Sequence, residues 1–291
     1  MNSLLDNIAP KPATQNVISF ANVAARYDGG TEILSDVSFN INSHSFYFLT
    51  GASGAGITTM LRLIYHLHPQ SRGQIKLFGK STAGLPRDDI ANLRRKMAIV
   101  FQDYSLISHL SVFDNIALPL RVRGTSENYT RKLVSRALQW VGLSQYAGVL
   151  PMNLSGGQQQ RVAVARAIII QPEVLLADEP TGNLDDYSAS KLMEMFIQMN
   201  KNFGTAVIIA THSQKLLDAY PFPRILVEDR KVSFRETAGP REPEQKKPAP
   251  LPYAPPKAAR EGPRDSNYFA QLSAELQAQF EEIAKGATNT Q

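Results

Sequence analysis

The stretch Leu49-Thr-Gly-Ala-Ser-Gly-Ala-Gly-Ile-Thr-Thr59 has the residue types and spacing to hold a phosphate. An apolar run, Phe46-Tyr-Phe-Leu49, precedes it and reads as a buried parallel strand. Met60-Leu-Arg-Leu-Ile-Tyr65 follows with helical spacing and no breaker. Strand, glycine-rich turn and helix set successive backbone N–H groups around a concavity at a helix N-terminus, where the dipole favours an anion. The pattern for such a loop is G-x-x-x-x-G-K-[ST]. Gly51, Gly54, Gly56 and Thr58 fit it, with Ala52, Ser53, Ala55 and Thr59 completing the turn. Position 57, where the pattern has lysine, is isoleucine.

Phosphoryl transfer is mostly positioning and charge neutralisation, so the other parts can be sought by type. A hydroxyl and a carboxylate must hold Mg²⁺: Thr58 opens the helix and Asp178 ends an apolar strand. Glu179 follows at once, at the C-terminal end of the strand, where ligands bind in open α/β sheets. Gln102 and His212 each end another apolar run, so all of these can converge on one crevice. A second anion-binding turn is Leu154-Ser-Gly-Gly-Gln158, where two glycines precede a helix and Ser155 adds a hydroxyl. One nucleotide needs one phosphate loop. A second turn therefore implies a composite site, most simply a two-fold dimer in which Ser155, Gly156, Gly157 and Gln158 close on the partner's nucleotide.

The elements that must position these groups follow from the pattern. Val17 to Phe39 alternates like two antiparallel strands around Asp28-Gly-Gly30, a small sheet laid against a parallel core. Tyr27 ends the first of them, either as an edge aromatic or as a ring that stacks on adenine. Gly73 to Gly79 returns as a strand, Leu85 to Lys96 as a helix, and Met97 to Phe101 as a buried strand ending at Gln102. Leu106 to about Leu150 is helical in period, interrupted near Pro119 and Gly124, and contains the only tryptophan, Trp140. A helix follows over Gln159 to Ile170. Then come Val174 to Glu179, a helix from about Ser188 to Asn202, a strand over Ala206 to Ala210, and a hairpin about Asp229-Arg230. Strands alternating with helices argue for a mostly parallel sheet covered on both faces.

Composition bounds the rest. A chain of 291 residues with 43% hydrophobic content has ample material for a core. No apolar run approaches the roughly 18 residues of a membrane span, and the N-terminus reads as a short polar tail without a basic-then-apolar signal layout. With no cysteine there is neither a disulfide nor a thiolate metal site. A net charge of +5 permits nucleic acid or an acidic membrane surface as partner and demands neither. After Thr237 eight prolines between Pro240 and Pro263 lie among Lys, Arg, Glu and Ala, the composition of an extended semi-rigid linker. Beyond it Phe269, Leu272, Leu276, Phe280 and Ile283 form one apolar helical stripe. Such a helix either docks on its own domain or meets a partner, and the acidic Glu275, Glu281 and Glu282 favour a protein over an anionic membrane.

Taken together, these stretches resemble the ATP-binding-cassette (ABC) ATPases over roughly residues 17–234. The likeness rests on Tyr27 (adenine-stacking loop), Gly51 to Thr59 (Walker A), Gln102 (Q-loop), Leu154 to Gln158 (signature), Val174 to Glu179 (Walker B), Leu184-Asp185 (D-loop) and His212 (switch). Within that family, Phe48-Leu-Thr-Gly51, the run from Val100 to Leu120 and Trp140-Val-Gly-Leu143 are similar to the cell-division ATP-binding proteins of the FtsE type. The resemblance implies a P-loop NTPase (RecA-like) α/β core of mostly parallel sheet, with a small antiparallel β subdomain and an inserted helical subdomain at about 103–160. The expected layout is a tail at 1–16, the ATPase domain at 17–237, the linker at 238–266, an amphipathic helix at 267–285 and a tail at 286–291.

The resemblance further implies ATP and Mg²⁺ as cofactors, a homodimer sandwiching ATP, and an integral membrane partner of the FtsX type at the cytoplasmic face of the inner membrane. Nucleic acid is not among the expected partners. Thr58, Gln102 and Asp178 are the implied metal set, and Glu179, His212 and Gln102 the implied catalytic set. The expected role is coupling of an ATP cycle to control of cell-wall hydrolases at the septum. Lipoprotein-release and macrolide-export ATPases share most of the motifs. DNA-repair ATPases with similar motifs need a long insertion, for which the spacing from Gln102 to Leu154 has no room.

Ile57 departs from the family pattern. A charge-assisted bond of the missing kind contributes about 1.5–3 kcal/mol, so nucleotide affinity is expected to fall about ten- to a hundred-fold. Hydrolysis is expected to suffer more, because the lysine also neutralises charge during transfer. Arg62 lies beyond the first helical turn and is expected to be a surface residue rather than a substitute. Two readings follow: a working ATPase with impaired turnover, and a nucleotide-dependent scaffold that does not hydrolyse.

Overall fold

The computed structural model describes residues 15–235. Most of the expected N-terminal tail, the proline-rich linker and the apolar stripe of 267–285 lie outside the described residues.

Two sheets form the frame. The first carries β1 (Asn16–Ala25), β2 (Leu34–Asn42), β4 (Arg72–Leu77) and β5 (Lys80–Ser81), all antiparallel in the order β2-β1-β4-β5. The second is built from β3 (Phe46–Gly51), β6 (Met97–Val100), β7 (Val174–Asp178), β8 (Ala206–Ala210), β9 (Arg224–Glu228) and β10 (Lys231–Arg235), in the order β10-β9-β3-β8-β7-β6. Its inner strands run parallel, and β10 turns back antiparallel on β9. That hairpin turns on Asp229 and Arg230, both at positive φ (47° and 67°), which fits the twist of the two strands.

The inner strands are almost wholly apolar because both of their faces are covered. Phe46 and Phe48 of β3, Leu175 and Ala177 of β7, and Val207 and Ile209 of β8 face one core. Residues of the opposite parity, among them Leu49, Leu176 and Ile208, face a second core. That second core lies under the antiparallel sheet, α1 (Ile57–Ile64) and α2 (Arg87–Arg94). The first is closed by α3 (Val112–Val122), α4 (Glu127–Trp140), α5 (Gly156–Ile168), α6 (Asp186–Phe203) and α7 (Gln214–Ala219).

The segment of helical period between 106 and 150 resolves into α3, α4 and a short 3₁₀ turn at Ser144–Tyr146. Pro119 does not end a helix, since α3 runs through it. The break comes at Gly124, whose φ of 76° is left-handed. Asn115, fully buried, donates from Nδ2 to the carbonyls of Ile107, Leu110 and Ser111, pinning the preceding loop to α3. Trp140 is 1% exposed in the core, as a packing residue is.

Candidate functional site

The parallel register brings the marked residues to one edge of the large sheet. Leu49 of β3 and Asp178 of β7 both stand opposite Ala210 of β8. The chain leaves β3 into the glycine-rich turn, β7 into Glu179, and β8 into Thr211 and His212. Thr211 N donates to the Leu49 carbonyl at 3.0 Å, and Glu179 N to the Ala210 carbonyl at 2.9 Å, so pairing continues one step past the strands.

The turn from Gly51 to Gly56 owes its path to two close approaches. A Cβ on Gly51 would lie 2.3 Å from the Val227 carbonyl oxygen of β9, so no side chain fits. Gly56, at φ 108°, is the N-cap of α1 and sits against Ile33 and Leu34. No side chain caps α1 and its first turn holds no acidic residue. With Ala52, Ser53, Gly54 and Thr58 exposed and Ala55 half-buried, the N-terminus of α1 is left open to an anion. Ile57 is half-buried and packs on the second core. It offers the turn no polar atom. Arg62 does not replace it, because its Nη1 donates instead to the Tyr27 hydroxyl at a long 3.4 Å.

Past the ends of β7 and β6, Asp178 and Gln102 line one cleft with Phe101, Asp103 and Asn183. Burial, and then the charge of Glu179, push the Asp178 carboxyl above its ordinary range. A cation in the cleft would reverse that shift. A carboxylate and an amide in the cleft are oxygen donors of the kind that Mg²⁺ takes alongside phosphate and water, so the residues present fit that ion.

Glu179 is held on several sides. Its backbone is at φ 43°, an uncommon conformation for a non-glycine residue that recurs at functional sites. Oε2 accepts from Thr211 Oγ1 at 3.0 Å, and Oε1 accepts from His212 N at 2.7 Å and meets His212 Nδ1 at 2.5 Å. The Glu179 side chain is 15% exposed while that of His212 is 81% exposed. Thr211, buried at 1%, is a holding residue that the sequence did not single out. Its place directly before His212 was the available signal. Arg166 of α5 was missed as well. Its guanidinium donates to the carbonyls of Tyr104 and Ser105, at 2.9 and 2.7 Å, and so clamps the loop after Gln102 to the helix that starts at the second anion turn.

That second turn is built differently. Ser155 caps α5 in a reciprocal box: its Oγ accepts from Gln158 N at 3.3 Å, and Gln158 Oε1 accepts from Ser155 N at 2.8 Å. A Cβ on Gly156 would come 3.3 Å from the Tyr104 hydroxyl, and one on Gly157 would come 3.5 Å from Leu184 Cδ2. No hydrogen bond among the described residues joins this turn to residues 51–59. Tyr27, by contrast, does reach the first turn. Its hydroxyl lies 3.4 Å from Thr59 Oγ1, and that contact is the foremost cause holding the phenol below its ordinary pKa.

Known proteins are similar to this chain in sequence and in fold. The family described as ABC transporter matches residues 34–182. The cell division ATP-binding protein FtsE of Escherichia coli K12 is 40% identical over 213 residues, covering 73% of this chain and 96% of the relative. Its counterpart in Bacillus subtilis 168 is 36% identical over 223 residues, covering 77% and 97%. A solved structure, the dimeric post-hydrolysis state of the ATP-binding cassette MJ0796 bound to ADP and Pi, superposes with a TM-score of 0.69 at 32% identity, covering 75% of this chain and 98% of that one. By fold, by motif and by kinship with FtsE proteins, the chain belongs to the ABC transporter family of ATPases.

Proposed function

We propose that the chain is the ATPase subunit of a cell-division complex of the FtsE type, dimerising on ATP and bound to a membrane protein of the FtsX type. The observation that carries this reading is the convergence of an uncapped α1 N-terminus, the Asp178–Gln102 cleft and the held Glu179 at one sheet edge. In this reading the N–H groups of the turn and of α1 bind the phosphates. Thr58, Gln102 and Asp178 would hold Mg²⁺, which would supply neutralisation of phosphate charge. Glu179 orients and deprotonates the attacking water, with His212 beside it. The turn at Ser155 to Gln158 faces the partner protomer's nucleotide.

No helix among the described residues is long and apolar enough to cross a membrane. Attachment at the cytoplasmic face therefore runs, in this proposal, through the partner. The groove between α2, α3 and α5, lined by Tyr65, Phe101, Leu118, Pro119 and Val122 and by arginines that include Arg94 and Arg123, has the apolar floor and basic rim to receive it.

The packing of Ile57 supports slow turnover, and it also favours the second reading, a scaffold that binds nucleotide without hydrolysing it. The test is ATP binding and turnover for the full chain and for Ile57→Lys, side by side, with Mg²⁺ and at concentrations that allow dimerisation. Slow but measurable turnover, raised by the substitution, supports the ATPase reading. Binding without turnover in the unsubstituted chain supports the scaffold. Turnover equal to that of Ile57→Lys overturns the role given to position 57.

A further inference from the structure

His68 lies four residues past the end of α1 and belongs to none of the motifs. Its imidazole stacks on the ring of Tyr27, with centroids 4.2 Å apart and planes inclined by 31°. Its Nε2 makes a 3.0 Å hydrogen bond with the carbonyl of Arg26, the residue immediately before Tyr27. The imidazole therefore grips the segment on which it stacks. The far edge of the Tyr27 ring is fixed separately, through its hydroxyl, by Thr59 and Arg62 of α1. One ring face is covered and the polar edge is tethered, so on the base-stacking reading it is the opposite face that meets the ligand.

Without such backing Tyr27 would be poorly placed. It stands at the end of β1, ahead of an exposed turn whose Asp28 and Gly29 both have positive φ. An aromatic in that position binds a planar ligand only after its own rotamer and loop are ordered, and the ordering weakens binding. We propose that His68 is a positioning residue for the nucleobase: it backs the Tyr27 ring so that the free face is presented, already ordered, to the purine of the nucleotide. This rests on the reading of Tyr27 as the base-stacking ring. It assigns His68 to the base half of the ligand and gives it no part in binding the phosphates.

The test uses the full chain, both unsubstituted and carrying Ile57→Lys to strengthen binding. Affinities for ATP and for inorganic tripolyphosphate are measured by calorimetry in His68→Ala, His68→Phe, Tyr27→Ala and the His68→Ala/Tyr27→Ala double variant. His68→Ala is expected to weaken ATP roughly three- to tenfold, the size of one lost aromatic pair, with tripolyphosphate unchanged. His68→Phe, which keeps a stacking ring, is expected to restore ATP affinity. In the double variant the loss is expected to equal that of Tyr27→Ala alone, since the two rings act as a unit.

Unaltered ATP affinity in His68→Ala, alongside a loss in Tyr27→Ala, overturns the inference and leaves the base-stacking reading of Tyr27 standing. Unaltered affinity in Tyr27→Ala overturns both. An equal loss for ATP and tripolyphosphate in His68→Ala also overturns the inference, because the residue then acts on the whole site. Failure of His68→Phe to restore affinity shifts the role to the Arg26 hydrogen bond and overturns the backing role of the ring.

Discussion

The two glycine-rich turns start helices and look alike on paper, yet they are held by opposite means. The turn before α1 is shaped by backbone: Gly51 is pressed on the Val227 carbonyl, Gly56 lies in the left-handed region, and no side chain caps the helix. The turn before α5 is shaped by side chains, with Ser155 and Gln158 satisfying each other's N–H groups. A helix start without a cap leaves its donors to an external anion, whereas a capping box has already used two of them. On the proposed reading the first turn is the seat for phosphate, and the second offers its remaining first-turn N–H groups to the partner protomer's nucleotide.

The largest test of this contrast is Ile57→Lys. Adding the cation to a turn already open to an anion is expected to raise ATP affinity about ten- to a hundred-fold, read by calorimetry, with a larger gain in phosphate release. Next come paired glycine substitutions. Gly51→Ala places a carbon 2.3 Å from a backbone oxygen and is expected to cost about 1–3 kcal/mol, as overpacking does. Gly157→Ala meets a leucine methyl at 3.5 Å and the Ser188 hydroxyl at 3.9 Å, both ordinary contacts, and is expected to leave Tm nearly unchanged. Equal Tm losses would break the contrast.

Ser155→Ala, which removes the cap of α5, is expected to cost about 1 kcal/mol in denaturant unfolding. No side-chain substitution at the N-cap of α1 has an equivalent, since Gly56 carries none. The smallest expected effect lies at Asp178, in the cleft at the end of β7. A carboxyl raised by burial binds its proton more readily in the folded protein than in the unfolded chain. Stability is then greatest below its ordinary pKa and falls as pH rises through the window up to the raised value. Asp178→Asn is expected to flatten that fall. Without nucleotide and Mg²⁺ its Tm would exceed that of the parent slightly at neutral pH, with the difference vanishing in acid, while Mg²⁺-dependent ATP binding weakens.

Much of the fold was legible because apolar runs of strand length, such as Val174 to Ala177 and Val207 to Ala210, cannot lie anywhere but in a sheet covered on both faces. The turn Leu154 to Gln158 was legible as opening a helix, and the structure moves that start to Gly156, earlier than the expected Gln159, because Ser155 caps it there. The misplaced break at Pro119 has a clear origin. Proline forbids one hydrogen bond, but α3 is anchored by the buried Asn115 and by its apolar face, and that packing outweighs the local penalty. The short helix α7 and strand β5 went unread, because six and two residues carry too little periodicity to register.

Residue types and order along the chain determined the chemistry: a phosphate turn without its lysine, a carboxylate pair at a strand end, a glutamine and a histidine ending other strands, and a second anion turn. These are local properties, carried by backbone conformation and side-chain type over a few neighbouring residues. The tertiary structure alone decided what holds them. Thr211 on Glu179, Arg166 on the Gln102 loop, Val227 against Gly51 and His68 behind Tyr27 are contacts between residues 32 to 176 positions apart. Such pairings follow from the register of the parallel strands and the closeness of the packed layers, which no local pattern encodes.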